Sequence, residues 1–135
     1  HSKSWTNLQG QQQGTCVHCG NCDIGCQVGA KNTLDLNYLA AARIAGAEIR
    51  ANHIVRALHP LDDGGYRLDF EQIADGRLVP GNVTAERVVV AAGSLGSTEL
   101  LLRCRDDHRS LTRLSDWVGF GVCCNVYFLT PAVYS

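Results

Sequence analysis

The sequence predicts an α/β fold: parallel strands, a three-stranded antiparallel meander and a Cys-rich loop. Three observations predict it. Residues 87–92 (RVVVAA) form an unbroken apolar, β-branched run, the pattern of a strand buried on both faces. A Gly turn and a helix-forming stretch follow at once, which makes a strand–turn–helix corner. Upstream, Tyr66, Leu68 and Phe70 alternate with Arg67, Asp69 and Glu71, the period of a strand with one wet face.

The elements follow in chain order. Residues 1–15 read as an extended polar lead-in, and residues 16–32 as a Cys/Gly loop too rich in turn formers for a helix. A helix is expected over 33–45, with Asn32 as its N-cap and Asp35 three residues on. Leu34, Tyr38, Ala41 and Ala45 form one stripe; Leu36, Leu39, Ala40 and Ile44 form a second, so most sides should be covered. Gly46 stands where a helix stop belongs. Short strands are expected over 47–51 and 53–58, then a turn over 60–65 and the alternating strand. Asp75 and Gly76 mark the next turn, and residues 78–86 a weaker strand interrupted by Pro80 and Gly81. After the buried strand at 87–92 come a tight turn over 93–97 and a helix over 98–104, with Glu99 in its first turn. Leu34, Tyr38, Leu39, Ala41, Val89, Val90, Leu101 and Leu102 are the expected core.

Composition narrows the function. The chain has 135 residues, 45% hydrophobic and 19% charged, which is ordinary for a folded domain. Its net charge of −1 gives no basic footprint for nucleic acid or anionic lipid. No apolar run approaches the roughly 18–20 residues that span a bilayer. The chain contains no methionine, so His1 is not an initiator position and the sequence reads as a segment of something longer. Seven cysteines, four of them crowded together, do not resemble a secreted disulfide scaffold; a reduced, cytoplasmic setting is expected.

Cys16, Cys19, Cys22 and Cys26 have the spacing C-x2-C-x2-C-x3-C, that of the bacterial ferredoxin run for a [4Fe–4S] cluster. Small residues such as Gly20 and Gly25 would let four thiolates converge. Against this, Gln27 replaces the proline that follows the last cysteine of such runs, and Cys104, Cys123 and Cys124 supply no second run. A zinc site, with His18 as a substitute ligand, and an inert Cys-rich turn are the other readings.

The corner VVVAAGSLGSTELL sets a strand against a helix N-terminus, whose free N–H groups and dipole favour an anion or a flavin edge. The fingerprint G-x-G-x-x-G is absent, and a ligand-free turn is the plain alternative. No nucleophile–base pair stands out. His53, His59 and His108 lie in strand, turn and polar positions that suit solvated side chains, and Asp106 and Asp107 read as an exposed loop.

The stretches CVHCGNCDIGCQVGAKNTLDLNYLA, GAEIR, GGYRLDF and VVVAAGSLGSTELLLRCRD together resemble the glucose–methanol–choline (GMC) oxidoreductases, in the branch with cholesterol oxidases. The resemblance runs over roughly residues 14–118. It implies part of a glutathione-reductase-like FAD-binding domain, in a protein that oxidises alcohols. It divides the chain into a Cys-rich loop (14–32), an FAD-domain segment (33–105) and the start of a flavin- and substrate-facing segment (106–135). It further implies that the Val55 backbone meets the FAD adenine and that Ala92, Gly93 and Ser94 run past the cofactor. The phosphate-binding Gly-rich turn and the catalytic His would lie outside this chain, so the resemblance assigns no catalytic residue here. The Cys-rich loop recurs in this branch, which lessens the need for an iron–sulfur cluster.

Near its end the sequence departs from relatives, which carry a loop like G-x-G-x-x-G-N-G-D-F-L-T. This chain reads GFGVCCNVYFLTPA: Asn125, Phe128, Leu129 and Thr130 match, whereas Cys124, Val126 and Tyr127 replace Gly, Gly and Asp. Asn125 is the residue of that loop expected near the flavin. The expected function is oxidation of the CH–OH group of a small-molecule alcohol, such as a sterol, with FAD as cofactor and an unassigned electron acceptor. The alternatives are an iron–sulfur electron-transfer module on the four cysteines and a zinc-stapled binding module.

Overall fold

A computed structural model describes residues 3–121. The chain divides into two compact units, His1–Ala51 and Asn52–Ser135.

The first unit opens with a small antiparallel hairpin rather than a single extended lead-in. Strand β1 (Ser4–Thr6) pairs with β2 (Gln12–Gly14), Trp5 opposite Gln13. Asn7 makes the turn, because its Oδ1 accepts from the amides of Gln9 (3.0 Å) and Gln11 (2.9 Å) while its Nδ2 donates to the Leu36 carbonyl (2.6 Å). The hairpin leads into residues 15–33, which hold no helix or strand.

The helix expected over 33–45 is shorter and starts later. A single 3-10 turn (Leu34–Leu36) precedes α1 (Tyr38–Ile44). Asn37, not Asn32, is its N-cap, and its side chain accepts from the Tyr38 amide. Asn32 instead accepts from the side chains of Asn37 (3.1 Å) and Gln13 (3.4 Å). The stop is where the sequence places it. Gly46 donates to the Arg43 carbonyl (3.0 Å) and Ala47 to that of Ala42 (2.9 Å), the paired bonds of a Schellman end. Ala40 is buried, but Leu34, Leu39, Ala41 and Tyr38 are exposed, Tyr38 at 77%. The expected core is therefore wrong here.

In the second unit the meander forms as the alternation predicts. Strand β3 (His53–Pro60) pairs antiparallel with β4 (Tyr66–Ala74), which pairs with β5 (Arg77–Ala85). Asp75 (φ 50°) and Gly76 (φ 70°) make the two-residue hairpin turn, both left-handed, which suits the strand twist. Strand β5 is not interrupted: Pro80 sits opposite Glu71 on an edge strand, where a missing N–H is tolerated. Gly81 lies opposite Phe70, and a β-carbon there would come within 2.7 Å of the Phe70 ring. The ring occupies the space that a larger residue would fill.

Helix α2 (Gly93–Asp106) is longer than expected, so Glu99 lies beyond its first turn and pairs with Arg103 one turn on. Its inward face carries Leu100 and Cys104, which with Ala57 and Leu58 of β3 form the buried cluster. Val55, Leu68, Val88, Val90 and Leu111 pack around it. Leu101 and Leu102, expected in the core, are half-buried.

The two expected parallel strands do not form among the described residues. Residues 47–51 and 87–92 hold no strand, and Val89 is 89% exposed while Val90 is half-buried. A parallel strand needs neighbours on both sides to satisfy its backbone and cover its faces. The sheet is an open antiparallel meander in the order β3-β4-β5, and among the described residues no strand pairs with residues 87–92.

Candidate cofactor-facing corner and cysteine loop

The corner at Gly93 is built from its backbone upward. Gly93 has φ 78°, a left-handed value that an L side chain adopts only under strain, although a β-carbon there would meet nothing within 4 Å. The residue is glycine for its backbone, not for space. It redirects the chain from the apolar approach into α2. The N-cap, Ala92, has no side chain that could accept from the first-turn amides. Ser97 does not cap them either: its Oγ accepts from the Ala92 amide, 2.9 Å away. Ser94 offers its carbonyl to the Thr98 hydroxyl (2.8 Å). Ala92, Gly93, Ser94 and Leu95 are all exposed. The result is an open helix N-terminus with its positive dipole end outward, which fits an electron-rich or anionic group.

Val55 lies on β3 at a break in register between Val55 and Ala57, opposite Phe70. The extra residue, Arg56, turns to Glu71 and places its Nε 2.6 Å from Glu71 Oε2. Strand β3 is an edge strand of the sheet. Leu58 uses the side away from β4, because its amide donates to Cys104 Sγ (3.3 Å). Val55 and Val90 both pack on the buried cluster, so β3 and the approach to Gly93 share one core. Val55 and Val90 thus flank one cluster, whereas Ala92, Gly93 and Ser94 stand exposed just beyond it. Asn125 lies outside the described residues.

The four loop cysteines line one cleft of about 260 Å³, together with Val17, His18 and Asn21. All four are free thiols. Among the described residues, no three His, Cys, Asp or Glu side chains meet at a geometry that could hold a metal ion. The spacing brings the cysteines to one place without turning them on one centre, and the ligand set expected for Cys16, Cys19, Cys22 and Cys26 is not formed. Their sulfurs differ in environment. Cys26 Sγ accepts from the amides of Ala30 (3.2 Å) and Lys31 (3.4 Å), whereas Cys16 Sγ accepts from that of His18 (3.4 Å). The Lys31 amide, then that of Ala30, holds the Cys26 thiol below its ordinary range.

His53 and His59 have structural partners. His53 packs against Phe70 with the rings tilted at 58° and their centroids 4.9 Å apart. His59 is half-buried, and its Nε2 lies 2.9 Å from Asp69 Oδ2 without the alignment of a hydrogen bond. Asp69 also pairs with Arg67 (3.0 Å). The sequence reading missed the pairs Arg56–Glu71 and Leu58–Cys104. The i, i+4 spacing of Leu100 and Cys104 was the available signal for the second.

Residues 4–105 match the family model for GMC oxidoreductases. The chain belongs to the GMC oxidoreductase family. It is similar to a cholesterol oxidase of Acinetobacter baumannii, with 34% identity over 119 residues, which is 84% of this chain and 21% of that protein. It is also 37% identical over 105 residues to cholesterol oxidases of two Mycobacterium tuberculosis strains, CDC 1551 / Oshkosh and H37Rv, covering 77% of this chain and 18% of theirs. The chain thus spans about a fifth of the length of the relatives it matches. GMC oxidoreductases are FAD-binding enzymes, and the open corner at Gly93 fits such a group. Among the described residues, no helix is long and apolar enough to cross a membrane.

Proposed function

We propose that this chain forms the adenine-side part of the FAD site in a GMC oxidoreductase that oxidises the CH–OH group of an alcohol. A sterol or another bulky apolar alcohol is the substrate class, a reading supported by the names of the relatives. When bound, FAD supplies the acceptor for the hydride. In this chain, the β3 edge at Val55 offers backbone groups to the adenine. Ala92, Gly93 and Ser94 present the open N-terminus of α2, and Asn125 is assigned to the flavin side by the family resemblance alone. Residues 87–92 join a parallel sheet whose other strands come from elsewhere in the protein. The exposure of Val89 supports this, because an apolar β-branched run left in water calls for a cover. We assign no catalytic base to this chain.

The observation that carries the reading is the left-handed, uncapped entry into α2 at Gly93, on the same core as Val55. The test uses the full-length protein to which this chain belongs. It should purify yellow, with a flavin absorption spectrum, and bleach when a sterol or long-chain alcohol is added without oxygen. A colourless protein that takes up no FAD overturns the reading. A flavoprotein that bleaches with no alcohol removes the substrate class.

A further inference from the structure

We propose that the cysteine loop is a peroxide-sensitive thiol pair, in which Cys26 reacts with the oxidant and Cys22 resolves the product to a disulfide. The proposal does not depend on the flavin reading. Among the described residues, Cys26 is the loop sulfur that accepts two amide hydrogen bonds, from Ala30 and Lys31. Such bonds stabilise the thiolate, which is the nucleophilic form. Cys22 is singled out by the walls it shares with Cys26. The two cysteines line both the 260 Å³ cleft and a second cleft of about 520 Å³, whereas Cys16 and Cys19 line the first. Lys31 joins the pair: its amide is on Cys26 Sγ and its ammonium donates to the Cys22 carbonyl at 2.8 Å. Cys22 is exposed and Cys26 half-buried on open clefts, so a small oxidant has access.

The chemistry balances with hydrogen peroxide as the oxidant. The Cys26 thiolate attacks one peroxide oxygen; an S–O bond forms, the O–O bond breaks, and hydroxide leaves. Cys22 then attacks the sulfenic sulfur. An S–S bond forms, the S–O bond breaks, and the hydroxyl departs as water with the Cys22 thiol proton. One peroxide thereby oxidises two thiols, and a dithiol reductant reverses the change.

The test treats the reduced whole chain with less than one equivalent of hydrogen peroxide, blocks remaining thiols and maps the peptides by mass. A Cys22–Cys26 disulfide should be the main product. Cys22→Ala should leave a sulfenic acid on Cys26 that dimedone traps, and Cys26→Ser should slow oxidation of the loop roughly tenfold. Cys16→Ser and Cys19→Ser should leave the rate within about twofold. Without any substitution, limiting iodoacetamide should label Cys26 ahead of Cys16 and Cys19. Equal labelling, a disulfide to Cys16 or Cys19, an unchanged rate in Cys26→Ser, or stoichiometric metal blocking the loop thiols would each overturn the proposal.

Discussion

The amide of Leu58 donates to the thiol of Cys104 across 3.3 Å, joining the middle of β3 to the last turns of α2. Cys104 is fully buried and Leu58 nearly so, and the two belong to the small cluster on which the second unit is built. Cys104→Ala should cost about 1–3 kcal/mol, because it opens a gap and leaves a buried N–H without its acceptor. Leu58→Ala should cost about 2–5 kcal/mol. Chemical denaturation measures both losses, and hydrogen exchange at the Leu58 amide should speed up in Cys104→Ala.

Gly93→Ala places a β-carbon in open space but on a left-handed backbone. The cost should be about 1–2 kcal/mol from backbone strain alone. Gly93→Asn should lose less, because asparagine tolerates that region. Thermal unfolding of the three proteins gives the order Gly, Asn, Ala. The order Gly, Ala, Asn would mean that side-chain bulk decides.

Gly81→Ala sets a methyl group against the Phe70 ring, against which His53 packs. The ring must swing aside, at a cost of about 1–3 kcal/mol. The imidazole signals of His53 should shift in the proton NMR spectrum even though residue 81 is on another strand.

Acid should loosen the end of α2. Arg105 holds the Asp106 carboxyl below its ordinary range through a charged hydrogen bond. A carboxylate lowered in the folded state adds stability above its unfolded pKa and loses it as pH falls through the folded one. Asp106→Asn should therefore flatten the acid side of the stability profile. Because the Asp106 carboxyl is exposed, salt should shrink the difference.

The 135-residue chain by itself should not take up FAD stoichiometrically. It lacks the Gly-rich strand–helix turn G-x-G-x-x-G that cradles a pyrophosphate, and Val55 with Gly93 offers too little surface to offset the ordering of so large a cofactor. Titration followed by flavin fluorescence checks this; saturation at one FAD per chain would be the contrary result.

The meander was legible because its signals are local. Alternation at Tyr66, Leu68 and Phe70 and the Asp75 and Gly76 turn fix strands and register without help from elsewhere. The stop at Gly46 was legible for the same reason. The start of α1 was not, since Asn32 and Asn37 are both chemically able to cap and only tertiary contacts choose between them. The run at 87–92 carries a parallel-strand pattern, but a pattern states what a segment needs and cannot supply its neighbours. For the corner, the sequence located the helix but not its start: the turn expected over 93–97 is already the first turns of α2. It could not show that Val90 and Val55 share a core, a contact set by how β3 meets α2.

Pro80 gives the meander a guarded border. A strand that ends a sheet invites another chain to continue the ladder, and that invitation is how many β proteins aggregate. On β5, the proline ring interrupts any such continuation with a missing donor. On the opposite border, Cys104 already occupies the Leu58 amide and α2 lies against the strand. Self-association of this chain should therefore begin at the bare Val89. Val89→Lys, rather than any change in β5, should keep the chain dispersed at high concentration.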